Sequence, residues 1–336
     1  MQKLYQKLLL ALQDGQEALL ITEIGPSGPK RTLSLEAKDI NFYQKQLIPN
    51  CLLIEKNGLK FIVEKFTPRS RLIVFGGGHV SLALAPLAPL LEYELHVYDD
   101  RPSFANPARF PMAAKTYCEP FDQLGANIVL RSSDYVVIVT RGHKHDEDCL
   151  EYALCGEEPS YLGMIGSKRR IAIVKKLLSD KGLSSERLEK LKAPIGVEIG
   201  AVTPAEIAIS IAAQLVQVRR SAEKTRGLGD LEVFPDIDLI KYIASPHQEG
   251  AALVTVVATS GSTPRKAGAK MVTIFDGRTV GSIGGGCAEA EILTEARQLI
   301  GTGAQKISTI DMTDKAEEDG MVCGGHMTAL IEDLGD

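Results

Sequence analysis

The sequence predicts an α/β protein, with a Rossmann-like parallel sheet domain joined to a smaller α+β domain. Three observations carry that expectation. Between residues 69 and 220, short apolar runs rich in β-branched side chains alternate with helical patterns, as βαβ units on a parallel sheet require. The first of these runs leads into Gly76-Gly77-Gly78 and then a helical pattern, the setting in which backbone can approach a ligand at a helix start. A polar stretch from Ser221 to Asp236, holding Gly227, Gly229 and one proline, then separates this block from a last hundred residues with strand, turn and helix signals of their own.

In the middle block, Arg71 to Phe75 reads as the first strand, Glu94 to Tyr98 as the second, Tyr135 to Thr140 as a buried one and Ser160 to Ile165 as another. Pro86 and Pro89 interrupt the helix that should follow the glycines. The clearest helix begins at Thr203-Pro204-Ala205-Glu206, where Thr can cap, Pro suits the first helical position and Glu stands three residues after the cap. It should run to about Arg220. The last block reads as helix, strand (Leu253 to Ala258), a Gly/Ser/Pro loop, strand (Met271 to Phe275), an Asp276-Gly277 turn, and strand (Thr279 to Ile283). Gly284-Gly285-Gly286-Cys287 follows, then a helix from Ala288 to about Ile300 and a strand near Lys306 to Met312. An acidic loop ending in Met321-Val322-Cys323-Gly324-Gly325 and a strand from Met327 to Ile331 complete it.

The first block reads as a shortened copy of the last. Leu4 and Leu239, Gly15 and Gly250, Ser27 and Ser262, and Pro29 and Pro264 are each 235 residues apart, and the order of helix, glycine, apolar strand and Ser/Pro loop agrees. The first copy lacks both cysteine motifs. The expected division is therefore residues 1–68 as the degenerate copy, 69–222 as the Rossmann-like domain, 223–236 as a linker and 237–336 as the intact copy. The repeat further predicts that the short copy packs against the intact one, of its own or another chain.

With 336 residues, the chain exceeds two domains of roughly 150 residues each, and the repeat accounts for the excess. Apolar residues at 44% and charged ones at 24% place it among ordinary globular proteins. Thirty-eight basic against 43 acidic side chains, net charge −5, exclude a general nucleic-acid binder. No apolar run approaches the roughly 18 residues of a membrane span, and Met1-Gln2-Lys3 leads into an amphipathic pattern rather than a signal peptide, so a cytoplasmic location is expected. Six cysteines without a CxxC argue for free thiols.

Several residues could carry chemistry. Gly76, Gly78 and His79 lie where a dinucleotide's phosphates would sit, and Asp99 and Asp100 end the next strand where a ribose carboxylate belongs, so a nucleotide such as NAD(P) is one candidate ligand. Ser81 replaces the third glycine of that fingerprint, and a Rossmann-like domain with a different ligand, or none, is equally compatible. His143 and Asp146 follow a buried strand at the edge where open α/β sheets bind ligands. With His145, Asp148 and Cys149 they could also be drawn as a metal cluster, although a hydrogen-bonding ligand loop suits their spacing better. Ser167 and Lys168, followed by Arg169 and Arg170, place cations in a first helical turn, where an anion or plain solvent would relieve the conflict with the helix dipole.

Cys287 follows three glycines at a predicted helix start, which lowers a thiol's pKa, and Gly284, Gly285 and Gly286 expose amides that could cradle an oxyanion. Cys323, with Gly324 behind it, resembles it. The two thiols could form a disulfide, a ligand set or a sulfur relay, or simply pack beside tight turns. Ser262 and Arg265 lie on a loop suited to an anion or to solvent. Cys51, Cys118, Cys149 and Cys155 read as core or surface residues.

The string Ser260-Gly261-Ser262-Thr263-Pro264-Arg265-Lys266-Ala267-Gly268-Ala269-Lys270-Met271, then Gly284-Gly285-Gly286-Cys287-Ala288-Glu289, then Met321-Val322-Cys323-Gly324-Gly325, resembles the XdhC/CoxI domain of xanthine dehydrogenase accessory proteins. The middle block resembles the family's Rossmann-like XdhC domain through Gly76 to Val80, Asp100-Arg101-Pro102, Gly142-His143 with Asp146, Ile165-Gly166-Ser167-Lys168, Pro194-Ile195-Gly196 and Thr203-Pro204-Ala205-Glu206. The family places its CoxI-type domain first, whereas here the intact copy stands last. The resemblance implies a molybdenum cofactor (molybdopterin) chaperone rather than a catalyst. Such a protein binds the cofactor, supports its sulfuration by a cysteine desulfurase and delivers it to a molybdenum hydroxylase apoenzyme of xanthine dehydrogenase type. It implies a homodimer, Cys287 and Cys323 as sulfur- or molybdenum-handling thiols, and Gly284 to Gly286 as holders of an anionic group. An NAD(P)-dependent oxidoreductase, with His143 as proton donor, is the alternative.

Overall fold

A computed structural model describes residues 1–25, 28–44, 51–56, 58–225, 235–246, 250–261, 263, 265–311 and 325–335. The chain divides into two compact units, one of Met1–Pro68 with Arg226–Asp336 and one of Arg69–Thr225.

The first block opens with α1 (Gln2–Gln13), an amphipathic helix that buries Tyr5, Leu8, Ala11 and Leu12 along one stripe. It continues through β1 (Ala18–Gly25), β2 (Gly28–Ser34), α2 (Ala37–Gln44), β3 (Cys51–Lys56) and β4 (Leu59–Phe66). These strands form an antiparallel sheet in the order β2-β1-β4-β3. Gly25 stands opposite Gly28, and Pro29, Lys30 and Arg31, expected in or beside a Ser/Pro loop, belong to a strand, while Ser27 lies outside the described residues.

The middle unit contains β5 (Arg71–Phe75), α3 (His79–Leu84), α4 (Leu87–Leu90), β6 (Glu94–Asp99), β7 (Lys115–Cys118), a short 3-10 segment at Phe121–Ala126, β8 (Tyr135–Ile138), α5 (His143–Cys155), β9 (Tyr161–Met164), α6 (Lys168–Asp180), α7 (Ser185–Lys190) and α8 (Pro204–Thr225). Its five strands run parallel in the order β7-β6-β5-β8-β9. Alternate side chains of the buried strands serve opposite faces. Ile73, Phe75, Val136 and Ile138 pack under α5, α6 and α7, while Leu72, Val74, Leu95 and Val137 pack under α3, α4 and α8. The edge strand β7 departs from the sequence expectation, because Lys-Thr-Tyr-Cys has no apolar run. Pro86 precedes α4 and marks the expected interruption. At the start of α8 the capping box forms: Thr203 N–H and Val202 N–H each donate to Glu206 at 2.8 Å, and Glu206 N–H donates to Thr203 Oγ1 at 3.3 Å.

The last block holds α9 (Ile237–Ala244), β10 (Ala251–Gly261), β11 (Lys270–Ile274), β12 (Thr279–Gly281), α10 (Gly286–Leu299), β13 (Gln305–Asp311) and β14 (Gly325–Asp333). Its antiparallel sheet has the order β12-β11-β10-β14-β13, which repeats that of the first block with one strand added. Helices α1 and α9 pack together with β1 and β10 in one core that includes Tyr5, Leu20, Ile240 and Leu253. Among the described residues, no helix is long and apolar enough to cross a membrane.

Candidate functional site

Two places gather the residues singled out from the sequence. The first is the carboxyl edge of the parallel sheet, where the strand order reverses between β5 and β8 and α/β folds bind ligands. Gly76 takes φ +107° and lies so close to Val139 that a side chain there would meet its carbonyl. Gly78 precedes α3, and His79, its first residue, is exposed. Ser81 is buried and turns its hydroxyl back onto the Gly76 carbonyl, which is how a serine is accommodated at the third fingerprint position.

The carboxylate expected to meet a ribose has other partners. Asp99, 1% exposed, accepts the Gly77 N–H at 2.8 Å, the Arg101 Nε–H at 2.8 Å and Nη2–H at 2.9 Å, and the Arg101 N–H at 3.1 Å. The segment after β6 folds over the glycine turn: Arg109 Nε–H donates to the Gly77 carbonyl at 3.1 Å, and a Cβ on Gly77 would collide with the Phe104 carbonyl. Arg101 and Arg109 both stack on the Phe104 ring, at 3.6 and 4.9 Å. Asp100 is held by Arg141 at 2.8 Å, and this guanidinium, more than the opposing partial burial, keeps its carboxyl below the usual range.

Asp146, fully buried in the first turn of α5, accepts from Thr140 and pairs with Arg170 of α6. The cation placed against the helix dipole thus meets a carboxylate of the chain itself. Ser167 caps α6 by accepting the Arg170 N–H at 3.2 Å, and Lys168 is exposed. His143 begins α5, while His145 packs its ring on Phe121 at 4.8 Å. Among the described residues, which leave out the His143 side chain, no three His, Cys, Asp or Glu side chains come together as metal ligands. Burial pushes the Cys149 thiol well up, with Asp146 and Asp148 adding to it, which suits a packing residue.

The second place is one end of the last block's sheet. Gly325 at the start of β14 stands opposite Gly261 at the end of β10, and Gly281 at the end of β12 stands opposite Met271 of β11. By these pairings Gly281 is level with Val254, seven residues along β10 from Gly261, so the strand registers alone do not bring the flanks of the three motifs together. Beside them a cavity of about 70 Å³ is bounded by Glu64, Lys65, Arg265, Lys270 and Ser282 among others. Ser262, Cys323 and Gly324 lie outside the described residues. Cys287 falls in the first turn of α10.

The glycine run has a definite geometry. Gly284, Gly285 and Gly286 have φ values of +132°, +75° and +74°, in the region where only glycine is unstrained. The amides they present converge on Glu289: its Oε2 accepts the Gly285 N–H at 2.8 Å, the Ile283 and Gly284 N–H groups at 3.1 Å each, and the Ser282 hydroxyl at 3.0 Å. A concave set of backbone amides of this kind binds anions. The chain's own glutamate is the anion it holds. Sequence reasoning marks Glu289 only as a helix former; its place four residues after Gly285, near the reach-back position of a capping box, was the available signal.

The XdhC Rossmann domain is matched over residues 72–215, and the XdhC and CoxI family domain over residues 246–311. The chain belongs to the XdhC and CoxI family. Among curated relatives of this family member, the uncharacterized protein YqeB of Escherichia coli is 35% identical over 156 residues, 46% of this chain and 28% of that one. A protein of Bacillus subtilis described as a probable xanthine dehydrogenase subunit is 31% identical over 158 residues, covering 47% and 46% of the two chains. The molybdenum cofactor insertion chaperone PaoD of Escherichia coli is 35% identical over 86 residues, covering 26% and 27%. The matches thus span less than half of each of these relatives. The family match ends at residue 311, before the Cys323 motif.

Proposed function

We propose that the chain is an accessory protein for a molybdenum hydroxylase of xanthine dehydrogenase type. In this reading it binds the molybdenum cofactor, supports its sulfuration and hands it to the apoenzyme in the cytoplasm, without catalysing a reaction itself. Family membership and the similarity to a molybdenum cofactor insertion chaperone support it. The observation that carries it is the amide cradle at Ser282 to Gly285. Its four donors already surround one carboxylate oxygen, so the donor set fits an anionic group such as the phosphate of a pterin cofactor.

When bound, the cofactor would supply that phosphate and a soft, sulfur-ligated molybdenum centre. Ser282, Gly284 and Gly285 would hold the anionic end once Glu289 withdraws, with Arg265 on the neighbouring cavity wall adding a positive charge. Cys287, one residue beyond the glycine run, and Cys323 are the thiols assigned to sulfur or metal handling. A cysteine desulfurase, the apoenzyme and a second copy of the chain are the partners this reading implies. The oxidoreductase alternative needs the Gly76 loop for a phosphate and Asp99 or Asp100 for a ribose, and no observation favours it, because Asp99 is held by the Gly77 amide and Arg101, and Asp100 by Arg141.

The test is to purify the full chain from cells that make the cofactor and to measure bound molybdenum and pterin, in wild type and in Cys287→Ala. Stoichiometric pterin in the wild type, with molybdenum diminished in the variant, is the expected result. Absence of pterin from both samples would sink the reading.

A further inference from the structure

The first and last blocks are related by more than a shared strand order. In β1, Leu20 stands opposite Leu33 and Glu64, and Thr22 stands opposite Arg31. In β10, Leu253 stands opposite Val272 and Glu332, and Thr255 stands opposite Lys270. The ladders therefore make Glu64 the counterpart of Glu332, and Arg31 the counterpart of Lys270. Strands β1 and β10 correspond at a separation of 233 residues, two fewer than the 235 that relates Leu4 of α1 to Leu239 of α9, so the sequence match at constant spacing is corrected within the sheets.

Among the described residues, two ion pairs join these sheets, Glu64 with Lys270 at 2.6 Å and Arg31 with Glu332. Each takes its carboxylate from one block and its cation from the other. Exchanging the blocks turns one pair into the other. Residue i meeting j while j meets i is the signature of an isologous, two-fold interface, the kind formed by identical subunits. The apolar contacts obey the same exchange: Leu20 and Leu253 share one cluster, and Ile62 and Leu330, again counterparts, share another. All four charged side chains are nearly buried, the most exposed being Arg31 at 11%, and buried charges persist only when paired.

We propose that residues 1–66 are a built-in partner for residues 237–334, filling within one chain the self-complementary face that a second copy of the chain would otherwise occupy. This holds whatever the cofactor reading turns out to be. A second chain cannot dock on this face, so any homodimer must form elsewhere. The cavity beside the glycine run, with Glu64 and Lys65 on one wall and Arg265 and Ser282 on the other, is then completed in cis.

The test is charge reversal in the full chain, read by thermal unfolding in dilute solution. Glu64→Lys and Lys270→Glu are each expected to lower Tm by about 10 °C, since breaking one buried pair leaves like charges facing each other. The double variant should recover most of that loss. An equimolar mixture of the two single variants, unfolded and refolded together, should recover none of it, because the complementary charges then lie on different chains. Arg31→Glu and Glu332→Arg repeat the experiment on the second pair, so that one poorly packed swap does not decide it. Recovery in the mixture equal to that in the double variant would overturn the proposal, as would single variants with unchanged Tm or failure of both cis swaps.

Discussion

The Glu289 carboxylate sits 2.8 Å from the Gly285 amide nitrogen and draws on two more amides and a hydroxyl through the same oxygen. The three consecutive glycines with positive φ allow the loop to curl around that point. A side chain three to four residues into α10 thus satisfies the donors that a helix start otherwise leaves to water or a ligand. The same relation recurs on the parallel sheet, where Asp99 takes the Gly77 amide and Asp146 takes Arg170. Sites that read as anion sites in the sequence carry internal anions.

Replacing Glu289 with Ala should leave the cradle's amides without their acceptor and cost about 2 kcal/mol of stability in low-salt buffer. The freed cradle should then take an external anion. Added inorganic phosphate is expected to raise the Tm of Glu289→Ala more steeply than that of the wild type, following the linkage between ligand binding and stability. Thermal unfolding across a phosphate series checks this, and identical slopes for both proteins would refute it.

Glu289 also gives a pH dependence with a defined sign. Burial pushes its carboxyl up, but the amides of Gly285, Ile283 and Gly284 and the Ser282 hydroxyl outweigh burial and hold it below the ordinary value of 4.5. A carboxyl with a lowered folded-state pKa contributes stability that is present above the unfolded-state value and is lost as pH falls through the folded-state one. Relative to Glu289→Gln, the wild type should therefore hold a constant advantage at neutral pH that shrinks as acidification proceeds below about 4.5. Urea unfolding from pH 7 downward measures it; an advantage that grew on acidification would contradict the assignment.

On the parallel sheet, Asp99→Asn should destabilise its unit by about 3 kcal/mol, because Arg101 loses its partner while the Gly77 amide loses a charged acceptor. NADH added to the wild type should show no saturable change in fluorescence. Saturable binding abolished by Asp99→Asn, in a protein of unchanged stability, would mean that the carboxylate is free to meet a ribose.

The parts of this architecture that were legible in the sequence are those fixed by near neighbours. The β5 to α3 turn is written in Gly76 to Gly78, and the start of α8 in Thr203 and Glu206, two residues that make their own hydrogen bonds. Strand β7 was not legible, because an edge strand with half-exposed side chains needs no apolar run. Neither was the partner of Gly77, which lies 22 residues away and could as well have been a ligand. In the terminal blocks the sequence match follows the helices at one spacing, while the strands keep another set by their ladders, and only side-chain pairs such as Glu64 with Lys270 reveal it. Local chemistry marked where an anion belongs, and tertiary structure decided which anion is there.

The cysteines supply a last prediction. Cys51 is 4% exposed, and burial, reinforced by the Glu64 charge, drives its thiol far above the ordinary range. Cys149 is fully buried and shifted the same way. Since the thiolate is the reacting species, neither should be modified in the native state. Cys118 and Cys155 are exposed and should react at rates typical of surface thiols. Brief alkylation of the native protein, followed by denaturation, a second isotopically distinct label and peptide mass spectrometry, separates the two classes. The first label is expected on Cys118 and Cys155, and Cys51 and Cys149 should carry only the second. First-label incorporation at Cys51 would show that the pair of sheets opens readily, since its thiol lies between them against the Val257 carbonyl at 4.0 Å.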